Sequence, residues 1–384
     1  MNIIYFTTAQ EKSDYSKYIS LWKHPINPSN QVFHNKLIRA LGNINHVDVI
    51  SFRPFSKKEC QVKKLIKEER PTSQIDWHYL EVKNNKALRI SLFYSQARQI
   101  VNKLPKDSLI ICDTINPTVL KIAVSCSRKY KLPIIGICTD SPSNISGTTR
   151  QYTMSILKQA KNLDGYIALT TGLDELFNEQ HKNSLILEGI VENNIPTKSD
   201  SRYGKYFFMG GALSERYGVY DLIEAFKTYN PRNINLVICG HHGNEEKLKE
   251  AIAGDERIFY LGTIENDEVI NLEINSICNI NPRPYNEDLD RYSIPSKVLE
   301  YLNSNVPVIS VKNSKLYKVF SNDIIWAKSS SKEDLIEAFM KLDSLKSPDK
   351  KILAENAKKD VNHYFSIDAT SEKLKGFLYL FSKR

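Results

Sequence analysis

Two short blocks of this chain hold residue types suited to binding phosphate. The first is Phe208-Met-Gly-Gly-Ala-Leu-Ser-Glu-Arg-Tyr-Gly-Val-Tyr-Asp-Leu-Ile-Glu-Ala-Phe226. Gly210 and Gly211 end a strand-like run, so backbone can approach a ligand there without a Cβ in the way. A helix is expected to begin near Gly218, offering free N–H groups and a partial positive charge to an anion. Arg216 stands at that turn, with a planar guanidinium suited to bidentate pairing with phosphate. The glycine pair reads equally as a turn required only for packing.

The second block is Asn281-Pro-Arg-Pro-Tyr-Asn-Glu-Asp-Leu-Asp-Arg-Tyr-Ser-Ile-Pro-Ser-Lys-Val-Leu-Glu-Tyr-Leu302. A strand end leads through an acidic loop to a helix opened by Pro295-Ser296-Lys297, a favourable place for proline. Lys297 adds a cation beside the outward-pointing N–H groups, and Glu300 lies one turn deeper. A carboxylate there is placed to accept both hydroxyls of a ribose. The plainer alternative is a Glu that stabilises the helix N-terminus. In the other half, Ser29, Asn30 and Gln31 stand at an expected helix start, while Asp113 and Asp140 each end a buried strand. Asp140 is the preferred carboxylate for a second substrate; the rival reading is an Asp that caps the next turn.

The elements around these residues alternate between strand-like and helix-like, which points to α/β architecture with parallel sheets. Strands are expected at Ile3–Thr7, Val47–Phe52, Leu109–Cys112, Pro133–Cys138, Gly165–Leu169 and Leu185–Leu187. The opening Met1-Asn-Ile-Ile-Tyr-Phe-Thr-Thr reads as the first of these and not as a leader. Glu192–Ser201 is polar and breaker-rich, and the alternation restarts after it. Strands then follow at Lys205–Met209, Leu236–Cys239, Ile258–Leu261, Ile277–Ile280 and Val308–Val311. The helix Tyr217–Tyr229 has Val219, Leu222, Ile223 and Phe226 on one face. Ser331 starts a further helix with Asp334 in a capping-box position, and about 351–384 reads as helical.

Composition narrows the class. The 384 residues suit two or three domains at roughly 150 residues each. With 41% hydrophobic residues, 20 Tyr and 15 Phe, the chain is not of the disordered type. No run approaches the ~18 apolar residues of a spanning helix. The six Cys form no Cys-x-x-Cys and read as buried reduced thiols. The eight His show no metal-ligand spacing, and His241-His242 is the single adjacent pair. The net charge of +9 is one-sided: residues 1–200 hold 27 Lys+Arg against 18 Asp+Glu, whereas residues 201–384 hold 26 of each. That asymmetry suggests an anionic partner for the first half. Arg53–Arg70 carries seven basic residues and three Glu, with Phe52, Phe55, Leu65 and Ile66 interleaved. It reads as a patch for anionic lipid or as a solvated loop and helix face. No nucleic-acid module is present, so nucleic acid is not an expected partner.

The two phosphate-type blocks resemble the family-four retaining glycosyltransferases of the GT-B fold, in the bacterial cell-surface polysaccharide branch. The resemblance rests on Gly-Gly-x-Leu-Ser-x-Arg-Tyr-Gly-Val with Leu-Ile-Glu-Ala-Phe, on Ile238-Cys-Gly240, on Asn-Pro-Arg-Pro with Tyr-Ser-Ile-Pro-Ser-Lys-Val-Leu-Glu-Tyr-Leu, and on Val306-Pro-Val-Ile309. It covers the C-terminal half; Asn27–Gln31, Thr139–Pro142 and Gly165–Thr170 match more loosely. It implies two Rossmann-like domains facing across an interdomain cleft. These are residues 1–198 for the acceptor and 199–365 for the nucleotide sugar, with a C-terminal helix, 366–384, crossing back to the first.

The activity implied is metal-independent transfer of a hexosyl-type sugar from a nucleotide-diphosphate donor, with retention at the anomeric carbon and no cofactor. The acceptor implied is a lipid-linked glycan or a growing capsule or exopolysaccharide chain. The protein would then be cytoplasmic, peripheral on the inner face of the plasma membrane, with other polysaccharide-assembly enzymes as further partners. Asp140, Arg216, Lys297 and Glu300 would carry the chemistry. Gly210, Gly211, Tyr217, Gly218, Gly240, Arg283, Glu287, Tyr292 and Ser296 would bind the donor, and Ser29, Asn30, Gln31 and Asp113 the acceptor. Glu300 matches the second glutamate of the family's Glu-x7-Glu motif. The first falls at Tyr292, and the family's glycine-loop Arg and Lys fall at Ala212 and Tyr217. Those departures keep two rivals in view: a non-catalytic GT-B partner subunit, and a nucleotide-sugar 2-epimerase of the same architecture.

Overall fold

The computed structural model describes residues 1–22, 28–56, 64–145, 147–192, 199–241 and 244–382. The chain divides into two compact units. The first comprises Met1–Ile190, Arg291–Ile294 and Ile367–Arg384; the second comprises Val191–Asp290 and Pro295–Ser366.

The strands of the first unit are β1 (Ile3–Thr7), β2 (Val47–Ser51), β3 (Lys64–Leu65), β4 (Glu68–Arg70), β5 (Ile75–Tyr79), β6 (Val82–Lys83), β7 (Leu109–Asp113), β8 (Ile134–Cys138), β9 (Gly165–Ala168) and β10 (Ser184–Ile186). Eight of them form one sheet in the order β10-β9-β8-β7-β1-β2-β5-β4, and β3 pairs with β6. Within the large sheet only β4 runs antiparallel, against β5. β1, β2, β7 and β8 are buried along their whole length, as parallel strands covered on both faces must be. Alternate side chains serve opposite faces. Ile4 and Phe6 join a core with Phe93, Val119 and Leu120. Ile3 and Tyr5 join another with Leu37, Leu41, Leu374, Phe377 and Phe381. The helix Ile367–Leu378 packs on the helix Pro28–Gly42 to close that second face. A Cβ on Gly165 would lie 2.5 Å from the Phe381 ring, so only glycine admits that ring.

The second unit has β11 (Tyr206–Gly210), β12 (Asn235–Cys239), β13 (Ile258–Tyr260), β14 (Cys278–Asn281), β15 (Val308–Val311) and β16 (Ile325–Ala327). They form a parallel sheet in the order β13-β12-β11-β14-β15-β16. Helix Val219–Tyr229 buries Val219, Leu222, Ile223 and Phe226 against it. Ser331 caps the helix Lys332–Ser344, its side chain accepting from the Asp334 N–H. In both sheets the strand order reverses beside the central strand, between β1 and β7 and between β11 and β14. The carboxyl ends of strands at such a reversal form the natural ligand crevice of a doubly wound sheet.

Three expectations change. The last stretch is two helices, Ser347–Phe365 and Ile367–Leu378. They break because Ser366 takes extended backbone and bridges to Val191, whose N–H donates to the Phe365 carbonyl at 2.8 Å. The basic stretch Arg53–Arg70 is partly strand, and Arg53 is not a surface cation. It is buried, paired with Glu68 at 3.2 Å, stacked on Tyr79 and donating to the Leu80 carbonyl. Phe52 and Leu65 are core, and Phe55 packs on that core, which leaves Ile66 as the exposed apolar residue. Lys57, Lys58 and Lys63 lie outside the described residues. Third, the sequence periodicity did not reveal β5 or the 18-residue helix Lys86–Lys103. β5, read Ile-Asp-Trp-His-Tyr, mixes polar and apolar positions because a polar cluster sits at its start. No helix among the described residues is long and apolar enough to cross a membrane. The five described cysteines, 112, 126, 138, 239 and 278, are free and buried; Cys60 lies outside.

Candidate active site

In the second unit the reversal point gathers four backbone turns. β11 ends at Gly210, and Gly211 (φ 131°) turns the chain and donates to the Cys239 carbonyl at 3.0 Å. Gly240 (φ 139°), at the end of β12, donates to the Gly262 carbonyl at 2.7 Å. A Cβ on Gly240 would sit 1.7 Å from the Gly211 carbonyl oxygen, and one on Gly218 would sit 2.2 Å from that of Pro282. Both glycines are therefore demanded by close approach of backbone, and Gly218 (φ 74°) also needs the left-handed region. The packing reading of these turns accounts for both close approaches.

Two helix starts face this loop. Val219–Tyr229 and Ser296–Asn303 both begin without a side-chain cap on their first N–H groups. Such uncapped turns keep their donors and partial positive charge for another acceptor. The side chain of Lys297 on the second helix lies over the loop, its Cγ 3.7 Å from the place a Gly211 Cβ would occupy. Its Nζ sits between two carboxylates, 2.6 Å from Glu300 Oε2 and 3.0 Å from Glu273 Oε1. Burial would depress the ammonium, but Glu273 and then Glu300 outweigh it and hold Lys297 well above its ordinary value. Glu273 is 1% exposed and Lys297 28%. Beneath them Tyr301, fully buried, accepts from the Gly210 N–H at 2.8 Å and donates to the Gly210 carbonyl at 3.1 Å.

Arg283 follows β14 and is buried against Asp290, its guanidinium 2.5 Å from Oδ1. Burial lowers it below its ordinary value, and Asp290 opposes that shift. Arg216 is exposed and Tyr217 half-buried on a short turn, Glu215–Tyr217, and both act electrostatically on Arg283. Glu287 and Ser296 are exposed at the starts of their helices. Gly210, Gly211, Gly240, Lys297 and Glu300 thus lie together, and Arg216, Tyr217, Gly218 and Arg283 form a second group tied together where Gly218 meets Pro282. Tyr292 groups with the first unit, where its partly buried ring packs against the hydrophobic core beside Arg291. The backbone of Arg291 is fixed there, its carbonyl accepting from Thr170 Oγ1 at 2.7 Å and lying where a Cβ on Gly172 would collide.

In the first unit the reversal between β1 and β7 brings Asn30 and Asp113 together, Nδ2 to Oδ2 at 3.4 Å. Gln31 is spent on structure: its side chain accepts from the Gln10 N–H at 2.9 Å and donates to the Gln10 carbonyl. Ser29 is exposed. A recess there is lined by Thr8, Ala9, Gln10, Asn30, Gln31 and Pro54, with Tyr15 and Tyr18. Asp113 is 1% exposed and faces His34 Nε2 at 3.7 Å, while His34 Nδ1 meets the Tyr5 hydroxyl at 2.5 Å. Burial lowers His34 against the pull of Asp113, so the ring is neutral between them. Asp140 lies two residues beyond β8, half-buried, its Oδ1 accepting from the Ser141 N–H at 2.8 Å, as a turn-capping Asp does. Sequence reasoning missed Glu273, Tyr301, His34 and Tyr5. Glu273 sits on a helix with no motif around it, and Tyr301 directly follows Glu300 in its motif but reads as a core position; His34 follows Gln31 by three residues and shares its helix.

Residues 192–360 match the family model for glycosyl transferases group 1. No curated protein matches the chain in sequence. Among solved structures, sucrose-phosphate synthase of Thermosynechococcus elongatus superposes with a TM-score of 0.70 at 11% identity, over 100% of both chains. HepE of Anabaena in complex with UDP gives 0.66 at 12% identity, over 99% of this chain and 100% of that one. An α,α-trehalose-phosphate synthase (UDP-forming) of Burkholderia xenovorans gives 0.67 at 8% identity, over 98% and 99%. The likeness shows the fold alone, the GT-B architecture.

Proposed function

We propose that the protein is a retaining glycosyltransferase using a nucleotide-diphosphate sugar, with UDP as the first nucleotide to test because HepE was solved with it. One observation carries the donor site: Lys297 and Glu300 stand on the uncapped first turn of Ser296–Asn303, directly over the Gly210–Gly211 loop. In the donor complex Lys297 exchanges part of its carboxylate pairing for the diphosphate, and the two helix starts supply backbone N–H donors. Glu300 accepts the ribose hydroxyls. Arg216, exposed on its turn, closes on the outer phosphate. These groups stabilise the charge that develops on the leaving diphosphate.

The acceptor hydroxyl attacks the anomeric carbon on the face the diphosphate leaves. The new C–O bond forms as the bond to the phosphate oxygen breaks. The hydroxyl proton passes to that departing oxygen, so no protein nucleophile is consumed. Asn30, at a helix start, and Asp113 and Asp140, at or just after strand ends of the first unit, are the polar groups assigned to the acceptor. A lipid-linked glycan or growing surface polysaccharide is the acceptor class the basic first half favours.

Calorimetry with UDP, GDP, dTDP and ADP on wild type and Glu300→Ala tests this reading. Binding of one nucleotide, lost in the variant, supports it. The absence of binding by all four overturns it and favours a non-catalytic GT-B partner. The packing of Tyr292, partly buried, against the core of the first unit is the observation that keeps that second reading alive.

A further inference from the structure

A second polar cluster lies at the amino-terminal edge of the first sheet, opposite the strand ends that carry Asp113. Asp48 and Asp76 are the second residues of β2 and β5 and face one another in register. His46 precedes β2. Its Nε2 is 3.3 Å from Asp76 Oδ2 and 3.8 Å from Asp48 Oδ2. One donor atom from each of the three residues lies within 4.8 Å of the others. Ligand atoms of a tetrahedral zinc, bonded at about 2.0–2.2 Å, stand ~3.3–3.6 Å apart. The cluster is therefore close to the size of a coordination shell before any ion contracts it.

Both carboxylates are also held from behind. Asp48 Oδ1 meets His78 Nε2 at 2.8 Å, and its Oδ2 accepts from Asn2 Nδ2 at 2.9 Å. Asp76 Oδ1 accepts from the Thr72 N–H at 3.0 Å, which leaves Oδ2 for His46. Outer hydrogen bonds of this kind orient metal-ligating carboxylates. Asp48 is almost fully buried, whereas His46 is 40% and Asp76 29% exposed, so an ion can enter from solvent and keep a water.

We propose that His46, Asp48 and Asp76 form a zinc site that pins the starts of β2 and β5. The imidazole argues for a borderline first-row ion over magnesium or calcium, which take oxygen ligands. The role is structural and independent of the donor site, because these residues share no element with the Gly210–Gly211 loop.

The test is titration of the metal-free full chain with Zn2+ by calorimetry, with Co2+ as the spectroscopic probe. The expected result is one saturable site per chain, a tetrahedral Co2+ band and a Zn2+-dependent rise in Tm. His46→Gln and Asp76→Asn, both at partly exposed positions, abolish all three. His78→Gln, which removes only a support of Asp48, weakens binding by about 10–100-fold. Absence of saturable Zn2+ binding by the folded wild type overturns the proposal, whatever the variants do. So does binding that persists unchanged in both His46→Gln and Asp76→Asn, which would mean that Zn2+ binds elsewhere and that the cluster is a network of ion pairs only.

Discussion

The Tyr301 hydroxyl satisfies both backbone groups of Gly210, accepting from its N–H and donating to its carbonyl. A side chain one helical turn inside Ser296–Asn303 thereby locks the end of β11, and the glycine loop cannot move without that helix.

Tyr301→Phe should separate this clamp from simple packing. It keeps the buried ring and leaves the Gly210 N–H without its partner, at a cost of about 1–3 kcal/mol. Urea denaturation reads that loss, and calorimetry with the nucleotide diphosphate should show weaker binding. An unchanged affinity would mean the loop is held by other contacts.

The two loop glycines should respond differently to alanine. Gly240→Ala places a Cβ 1.7 Å from the Gly211 carbonyl and also needs φ 139°, so backbone must shift. Gly211→Ala has room and bears only the conformational strain, about 1–3 kcal/mol. Gly240→Ala should be the more destabilised by thermal melting; equal losses would show that the close approach yields easily.

Lys297 has a structural and a binding role that a double variant can divide. Lys297→Met strands the buried Glu273, at a cost on the order of 2–3 kcal/mol, below a fully buried pair because Lys297 is partly exposed. Adding Glu273→Gln should restore stability without restoring nucleotide binding. Because its folded value is raised, the pairing is fully present below pH 10.5 and is lost only as pH climbs through that raised value. Stability at neutral pH therefore contains all of it. Recovery of binding in the double variant would remove Lys297 from the donor site.

His34 works in the opposite sense. Its folded value lies below the ordinary 6.5. As pH falls below 6.5 the unfolded chain takes up a proton that the folded chain refuses. Stability is then lost at up to about 1.4 kcal/mol per pH unit until the folded value is reached. Wild type should lose more unfolding free energy between pH 7 and pH 5 than His34→Gln, in which Tyr5 and Asp113 face no titrating ring. Equal losses would mean that His34 takes up its proton in the folded state as well.

The alternation of elements, the buried parallel strands and the glycine turns could be read from the sequence, since each is a local pattern with its own period or backbone requirement. Gly210, Gly211, Lys297 and Glu300 could be found for the same reason: the loop and the helix start are contiguous stretches. The tertiary structure decided what depends on distant partners. It buried Arg53 against Glu68 and Tyr79, and placed Glu273 under Lys297. It packed Tyr292 against the core of the first unit, and set His46, Asp48 and Asp76 side by side at the starts of neighbouring strands. A charge has no periodicity that tells whether it faces water or a counter-ion. Strand order and register, which bring such groups together, are fixed by packing across the whole sheet.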